Sequence, residues 1–131
     1  MTRVATYARV YPAGHRGRAQ LTHQQARLAR TVGSWAGAAH VWAYADLGPA
    51  GPLGRPGLVR LLGDAERGCF EVVVVAGLDR ISPSPEHARA ILARLASSGV
   101  GVVALAGAGR RRVVAAATAA GMVELARLLG W

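Results

Sequence analysis

Phe70-Glu71-Val72-Val73-Val74-Val75-Ala76-Gly77-Leu78 is the stretch on which the fold turns. Four consecutive β-branched residues are stiff at χ1 and pack well on a pleated surface, so they favour extended chain over helix. A strand with one wet face would alternate apolar and polar residues. This run does not alternate, so it reads as a central strand covered on both faces, extending from Phe70 to Leu78. Such a strand needs helices above and below it.

Those helices are found on working outward. Towards the N-terminus, Leu58, Leu61, Leu62 and Ala65 recur at the i, i+3, i+4, i+7 spacing of an amphipathic helix, stopped by Gly68. A Gly/Pro-rich loop from Leu47 to Pro56 precedes it, and before that Ala38 to Ala45 reads as a strand. Leu21, Leu28 and Val32 predict a helix from Ala19 to Val32. Pro12, Gly14 and Gly17 predict a loop carrying His15, Arg16 and Arg18, and Arg3 to Val10 reads as a buried strand. Towards the C-terminus, Pro83 and Pro85 introduce a helix with Ala88, Ile91, Leu92 and Leu95 on one face. Val100 to Leu105 is a further strand, Gly107 and Gly109 make a turn, and Val113 to Leu129 reads as a last helix with Val114, Ala117, Gly121, Leu125 and Leu128 as its stripe.

Strands alternating with helices predict an α/β fold: three layers around a mostly parallel central sheet of four or five strands, closed by a C-terminal helix. At 131 residues the chain is expected to be one domain, spanning 1–131. Its formal net charge is +9, and all 16 basic residues are arginine, which favours a polyanionic partner. No apolar run approaches the ~20 residues of a membrane span, and no signal-peptide pattern opens the chain, so a cytoplasmic protein without membrane contact is expected. The lone Cys69 offers no disulfide and is read as a small buried residue between a helix and a strand. His15, His23, His40 and His87 lack metal-ligand spacing, and Gly107-Ala108-Gly109-Arg110 lacks the Gly-Lys-Ser/Thr of a P-loop. No cofactor and no metal are expected.

Five pieces of the chain, in order, resemble the catalytic domain of the serine recombinases, the resolvase/invertase family. They are Tyr7-Ala8-Arg9-Val10, the helix from Leu21 to Leu28 with Gln24, Tyr44-Ala45-Asp46 before a glycine loop, Arg55-Pro56 opening a leucine helix, and Leu78-Asp79-Arg80-Ile81-Ser82 leaving the valine strand. The resemblance implies a resolvase-like fold and a phosphodiester-cleaving site. In the family a serine attacks DNA phosphate, and arginines neutralise the charge that gathers on the phosphate oxygens; bidentate guanidinium geometry suits that task. By position, Arg9, Arg55 and Arg80 fall on such arginines, Asp79 on the acid beside them, and Gln24 on the helix residue near the site.

Two positions depart from the family pattern. Tyr11 stands where the nucleophilic serine belongs, and Pro83 where a second arginine follows the Leu-Asp-Arg motif. A phenol reaches a ring's width further than a serine hydroxyl, and misplacement by ~1 Å can cost ~10² in rate. The expectation is a degenerate domain, unable to exchange strands, with Tyr11 as an aromatic plug in a former phosphate pocket. It would act as a DNA-associated or protein-interaction module, with weak non-specific DNA binding or a related recombinase as partner. The alternatives are a recombinase fragment that retains DNA cleavage, and a phosphate- or nucleotide-binding α/β module. Active relatives continue into a long dimerisation helix and a helix-turn-helix reader. This sequence stops at Trp131, so no C-terminal DNA-binding domain is expected, and the apolar residues Met122, Val123, Leu125, Leu128, Leu129 and Trp131 predict a homodimer through the C-terminal helix.

Overall fold

The computed structural model describes residues 1–11, 14–48, 55–106 and 110–115. The elements are β1 (Thr2–Val10), α1 (Gly14–Gly33), β2 (Ala38–Leu47), α2 (Pro56–Glu66), β3 (Val72–Val75), a 3-10 turn (Leu78–Arg80), α3 (Pro85–Ser97), β4 (Gly101–Ala106) and β5 (Arg110–Ala115). They form one five-stranded sheet in the order β2-β1-β3-β4-β5. The first four strands are parallel, and β5 is antiparallel to β4.

All four valines of β3 are buried, and they divide between two cores as the pleat demands. Val73 and Val75 join Ala5, Tyr7 and Phe70 under α2 and α3, where Leu61, Leu62, Ile91 and Leu95 close the layer. Val72 and Val74 join Val4, Ala8 and Val103 under α1, with Leu28, Val32 and Trp35. The three layers read from the sequence are therefore present, with α1 as the helix on one face among the described residues. Cys69 is partly buried and packs on the first of these cores.

Three readings are corrected. The helix expected from Val113 is a strand as far as Ala115: Val113 pairs with Val103 and Arg112 with Ala104, which satisfies the open edge of β4. The remainder of that reading, including the apolar stripe expected to dimerise, lies outside the described residues, as does the turn at Gly107 and Gly109. Second, α1 begins at Gly14 rather than Ala19, so His15, Arg16 and Arg18 are helical rather than in a loop. Arginine, alanine and glutamine are good helix formers, and Gly17, which looks like a breaker, is buried within the helix. Third, the valine strand stops at Val75, and the chain turns through a 3-10 segment.

The order β2-β1-β3 places a topological switch between β1 and β3, since the chain leaves β1 towards opposite edges of the sheet. In open α/β sheets a crevice opens at that point beyond the strand C-termini. Arg9 and Val10 end β1 there, and the Leu78–Arg80 turn follows β3 there.

Candidate active site

β1 outruns β3. Val75 is the last residue of β3 and sits opposite Tyr7, so on that side the backbone of Arg9 has no ladder partner. Side chains supply one. Arg9 N donates to Gln24 Oε1 at 3.0 Å, and Arg9 O accepts from Arg80 Nη1 at 3.2 Å and from Gln24 Nε2 at 3.4 Å. Gln24 thus ties α1, and Arg80 the turn after β3, to the end of β1.

The guanidinium of Arg55 lies on the other face of the sheet, 2% exposed. Its Nη2 donates to Tyr7 Oη at 3.0 Å and to Arg80 O at 3.3 Å, and its Cζ lies 5.7 Å from the centre of the Tyr7 ring. Tyr7 in turn donates to Asp46 Oδ2 at 2.7 Å. Asp46 Oδ1 accepts from Gly57 N at 2.7 Å, and Oδ2 accepts from Leu58 N at 2.9 Å. Asp46, from the end of β2, therefore caps the N-terminus of α2, a task that Arg55 at the cap position leaves undone. The close approach requires Gly57, because a Cβ there would stand well inside contact distance of the Ala45 carbonyl. Burial, then the hydrogen bond to Asp46, pushes the Tyr7 phenol well above its ordinary value of 10.0, against the opposing pull of Arg55.

Arg9, Arg55 and Arg80 are brought together, each of the last two touching the backbone of another. Arg9 and Arg55 are buried, and four guanidinium nitrogens (Nε and Nη2 of Arg9, Nε and Nη1 of Arg55) have no hydrogen-bond partner among the described residues. Buried donors without acceptors cost about 1–3 kcal/mol each, more when charged. Asp79 lies beside Arg80: its side chain is 72% exposed, 3.7 Å from Arg80 Nε.

Tyr11 is 65% exposed. It stands in solvent and does not plug the arginine site as the sequence suggested, because the residue follows the last position of β1 and is released from the sheet. Ser82 is buried; its hydroxyl accepts from Ser84 N at 3.2 Å and lies 3.4 Å from His87 Nδ1, within the lead-in to α3. Sequence reasoning missed Tyr7 and Asp46 as parts of the site. A tyrosine in a buried strand does signal a required partner for its hydroxyl. Nothing local links residue 46 to the amides of 57 and 58.

The family model for the resolvase N-terminal domain matches residues 4–127. The chain belongs to the resolvase family. Three solved structures share its fold. The N-terminal catalytic domain of TP901-1 integrase is 25% identical, with 98% of this chain and 92% of that one covered and a TM-score of 0.69. The C-terminal catalytic domain of ISC1926 TnpA, an IS607-like serine recombinase, is 22% identical over 82% of this chain and 70% of that one, with a TM-score of 0.71. A resolvase family site-specific recombinase from Streptococcus pneumoniae is 20% identical over 85% and 76%, with a TM-score of 0.70. Curated protein sequences gave no match. No helix among the described residues is long and apolar enough to cross a membrane.

Proposed function

We propose that this resolvase-family domain binds DNA, or a related recombinase on DNA, without cutting it. The observation that carries the reading is the state of residue 11. Where the family resemblance calls for a serine hydroxyl against the phosphate, this chain has a phenol standing in solvent. A nucleophile must be held by its base and its charge-stabilising donors, and among the described residues no hydrogen bond holds the Tyr11 hydroxyl. Pro83 adds to the loss, since proline offers neither charge nor donor to a phosphate. Removing the nucleophile alone costs several orders of magnitude in rate, and removing a stabilising donor ~10²–10³ more. What survives suits binding: Arg9, Arg55 and Arg80 still gather, with Gln24 as the residue that holds the end of β1 in place and Asp79 as a solvent-facing neighbour of Arg80. Self-association through the apolar segment Met122–Trp131 belongs to the same reading.

The test is incubation with supercoiled plasmid and with suicide duplexes that trap a covalent intermediate. The expected outcome is neither nicked plasmid nor a denaturation-resistant adduct. An adduct mapped to Tyr11 overturns the proposal. A second reading, a module that binds free phosphate or a nucleotide, is favoured by the four unpartnered guanidinium nitrogens. It predicts anion binding in a preparation with no affinity for duplex.

A further inference from the structure

The two edges of the sheet differ in chemistry. β2 and β5 are its outermost strands, and among the described residues nothing pairs with the outer side of β2. A strand edge carries a row of unpaired backbone groups that accept another strand, and folds blunt it with charge, proline or a bulge. β5 opens with Arg110-Arg111-Arg112, so that edge carries three successive charges. β2 is the longer edge, 10 residues against 6. Its first eight residues, Ala38-Ala39-His40-Val41-Trp42-Ala43-Tyr44-Ala45, include no arginine, no carboxylate and no proline. The one guard is a bulge: Val4 pairs with His40 and Ala5 with Trp42, so Val41 is passed over, and the register is unbroken from Trp42 to Leu47. His40, Val41, Trp42 and Ala43 are exposed in succession. Trp42 shares a sheet face with Tyr44, two residues on. Tyr44 is 5% exposed, its hydroxyl held by Asp64 of α2, whereas Trp42 is 50% exposed and its neighbour Val41 39%.

We propose that the β2 edge is a self-association surface, on which β2 of a second copy pairs antiparallel across a two-fold axis and extends the sheet from one chain into the next. Three observations make a second copy the occupant. The open groups are those of a strand edge, so their complement is a strand. The chain carries a net charge of +9, and the run 38–45 is where two such chains meet without bringing arginines together. Pairing of like edges also closes on itself: each copy uses its uncharged edge, the Arg110–Arg112 edge stays outside, and the assembly stops at a dimer. Pairing of β2 with β5 of another copy would instead propagate as an open filament, and the arginines of β5 oppose it. Full antiparallel overlap of 38–45 with its counterpart sets Val41 of each copy opposite Trp42 of the other. Cross-strand pairs of aromatic and β-branched residues stabilise such a ladder, and tryptophan is prominent among the residues that dominate interface energetics. The surface shares no residue with the Arg9–Arg55 site or with the segment Met122–Trp131, and it does not depend on the state of residue 11.

The experiment measures self-association of the full chain by sedimentation equilibrium over a concentration series, with amide hydrogen exchange read by mass spectrometry at the dilute and concentrated ends. The parent is expected to associate reversibly, and residues 38–45 to gain protection with concentration while residues 110–115 do not. The double variant Val41→Lys/Trp42→Lys places charge on the edge. It is expected to weaken association by about tenfold or more and to abolish the concentration-dependent protection. Its urea midpoint in dilute solution should stay near the parent's, since both residues are exposed. Val59→Lys, at an exposed apolar residue of α2, should associate as the parent does. A parent that stays monomeric, association at parental strength in the double variant, or no concentration-dependent protection of residues 38–45 overturns the proposal. The exchange measurement uses the unaltered chain, so a double variant that failed to fold would leave the test intact. Association through Met122–Trp131 instead would survive the double variant and leave the exchange of residues 38–45 unchanged, which tells the two surfaces apart.

Discussion

Tyr7 carries the contacts that join three elements: its hydroxyl donates to the Asp46 carboxylate that caps α2 and accepts from Arg55. Tyr7→Phe removes both bonds and leaves a second Arg55 nitrogen with only the Arg80 carbonyl. The expected loss is about 1–3 kcal/mol by urea denaturation at neutral pH. The pH dependence follows from the raised phenol. Above the ordinary value of 10.0 an unfolded tyrosine gives up its proton while the buried Tyr7 keeps it. The folded state then binds more protons than the unfolded state, so stability falls as pH rises through that region. Tyr44, buried and bonded to Asp64, acts in the same direction. Stability of the parent chain should therefore fall between pH 9 and about 11, more steeply than that of Tyr7→Phe. Parallel curves would remove Tyr7 from the account. Little of this was legible in the sequence. Arg9, Arg55, Arg80 and Gln24 could be located because each lies in a recognisable local pattern. The Tyr7–Asp46 link could not, because it is a side-chain hydrogen bond between neighbouring strands, made by residues 39 positions apart.

Helices α2 and α3 meet through two kinds of contact. Arg94 reaches Glu66 at 2.8 Å, with both side chains about half exposed. Leu61, Leu62, Ile91 and Leu95 lie beneath, buried in the core they share. An exposed ion pair contributes about 0–1 kcal/mol, whereas truncating a buried isoleucine costs about 2–5 kcal/mol. Ile91→Ala should therefore lower the midpoint of chemical denaturation markedly, and Arg94→Ala scarcely at all. A reversal would mean that the ion pair, and not the packing, holds the helices together. The sequence revealed both helices because their apolar stripes are periodic. It misled at β5, where Val113 and Val114 fit a helical stripe as well as a strand. The open edge of β4 settles their conformation, and an unfilled sheet edge is a tertiary fact with no local signature. Gly17 misled in the opposite sense, as a breaker by type that the structure buries inside a helix.

On the scale of the whole molecule, charge is distributed unevenly. The net charge is +9, and the described carboxylates fall outside α1. The two buried arginines Arg9 and Arg55 hold four guanidinium nitrogens that are unpartnered among the described residues, against the repulsion of their neighbours. An anion that binds only the folded state stabilises it by RT ln(1 + [L]/Kd), about 1.4 kcal/mol when the ligand stands tenfold above its Kd. Sulfate or phosphate should therefore raise the melting temperature more than chloride does at matched ionic strength. Arg55→Met keeps most of the side-chain volume and removes the buried charge. It should abolish most of the sulfate gain and leave the melting temperature in chloride equal to the parent's or higher, since a buried charge without its partner is a net cost. Arg16→Ala, which strips charge from the exposed face of α1 and not from this site, should retain most of the gain. An equal response to sulfate and chloride in the parent would show that Arg9 and Arg55 are closed to anions, and would reduce the site to a structural relic around Tyr7 and Asp46.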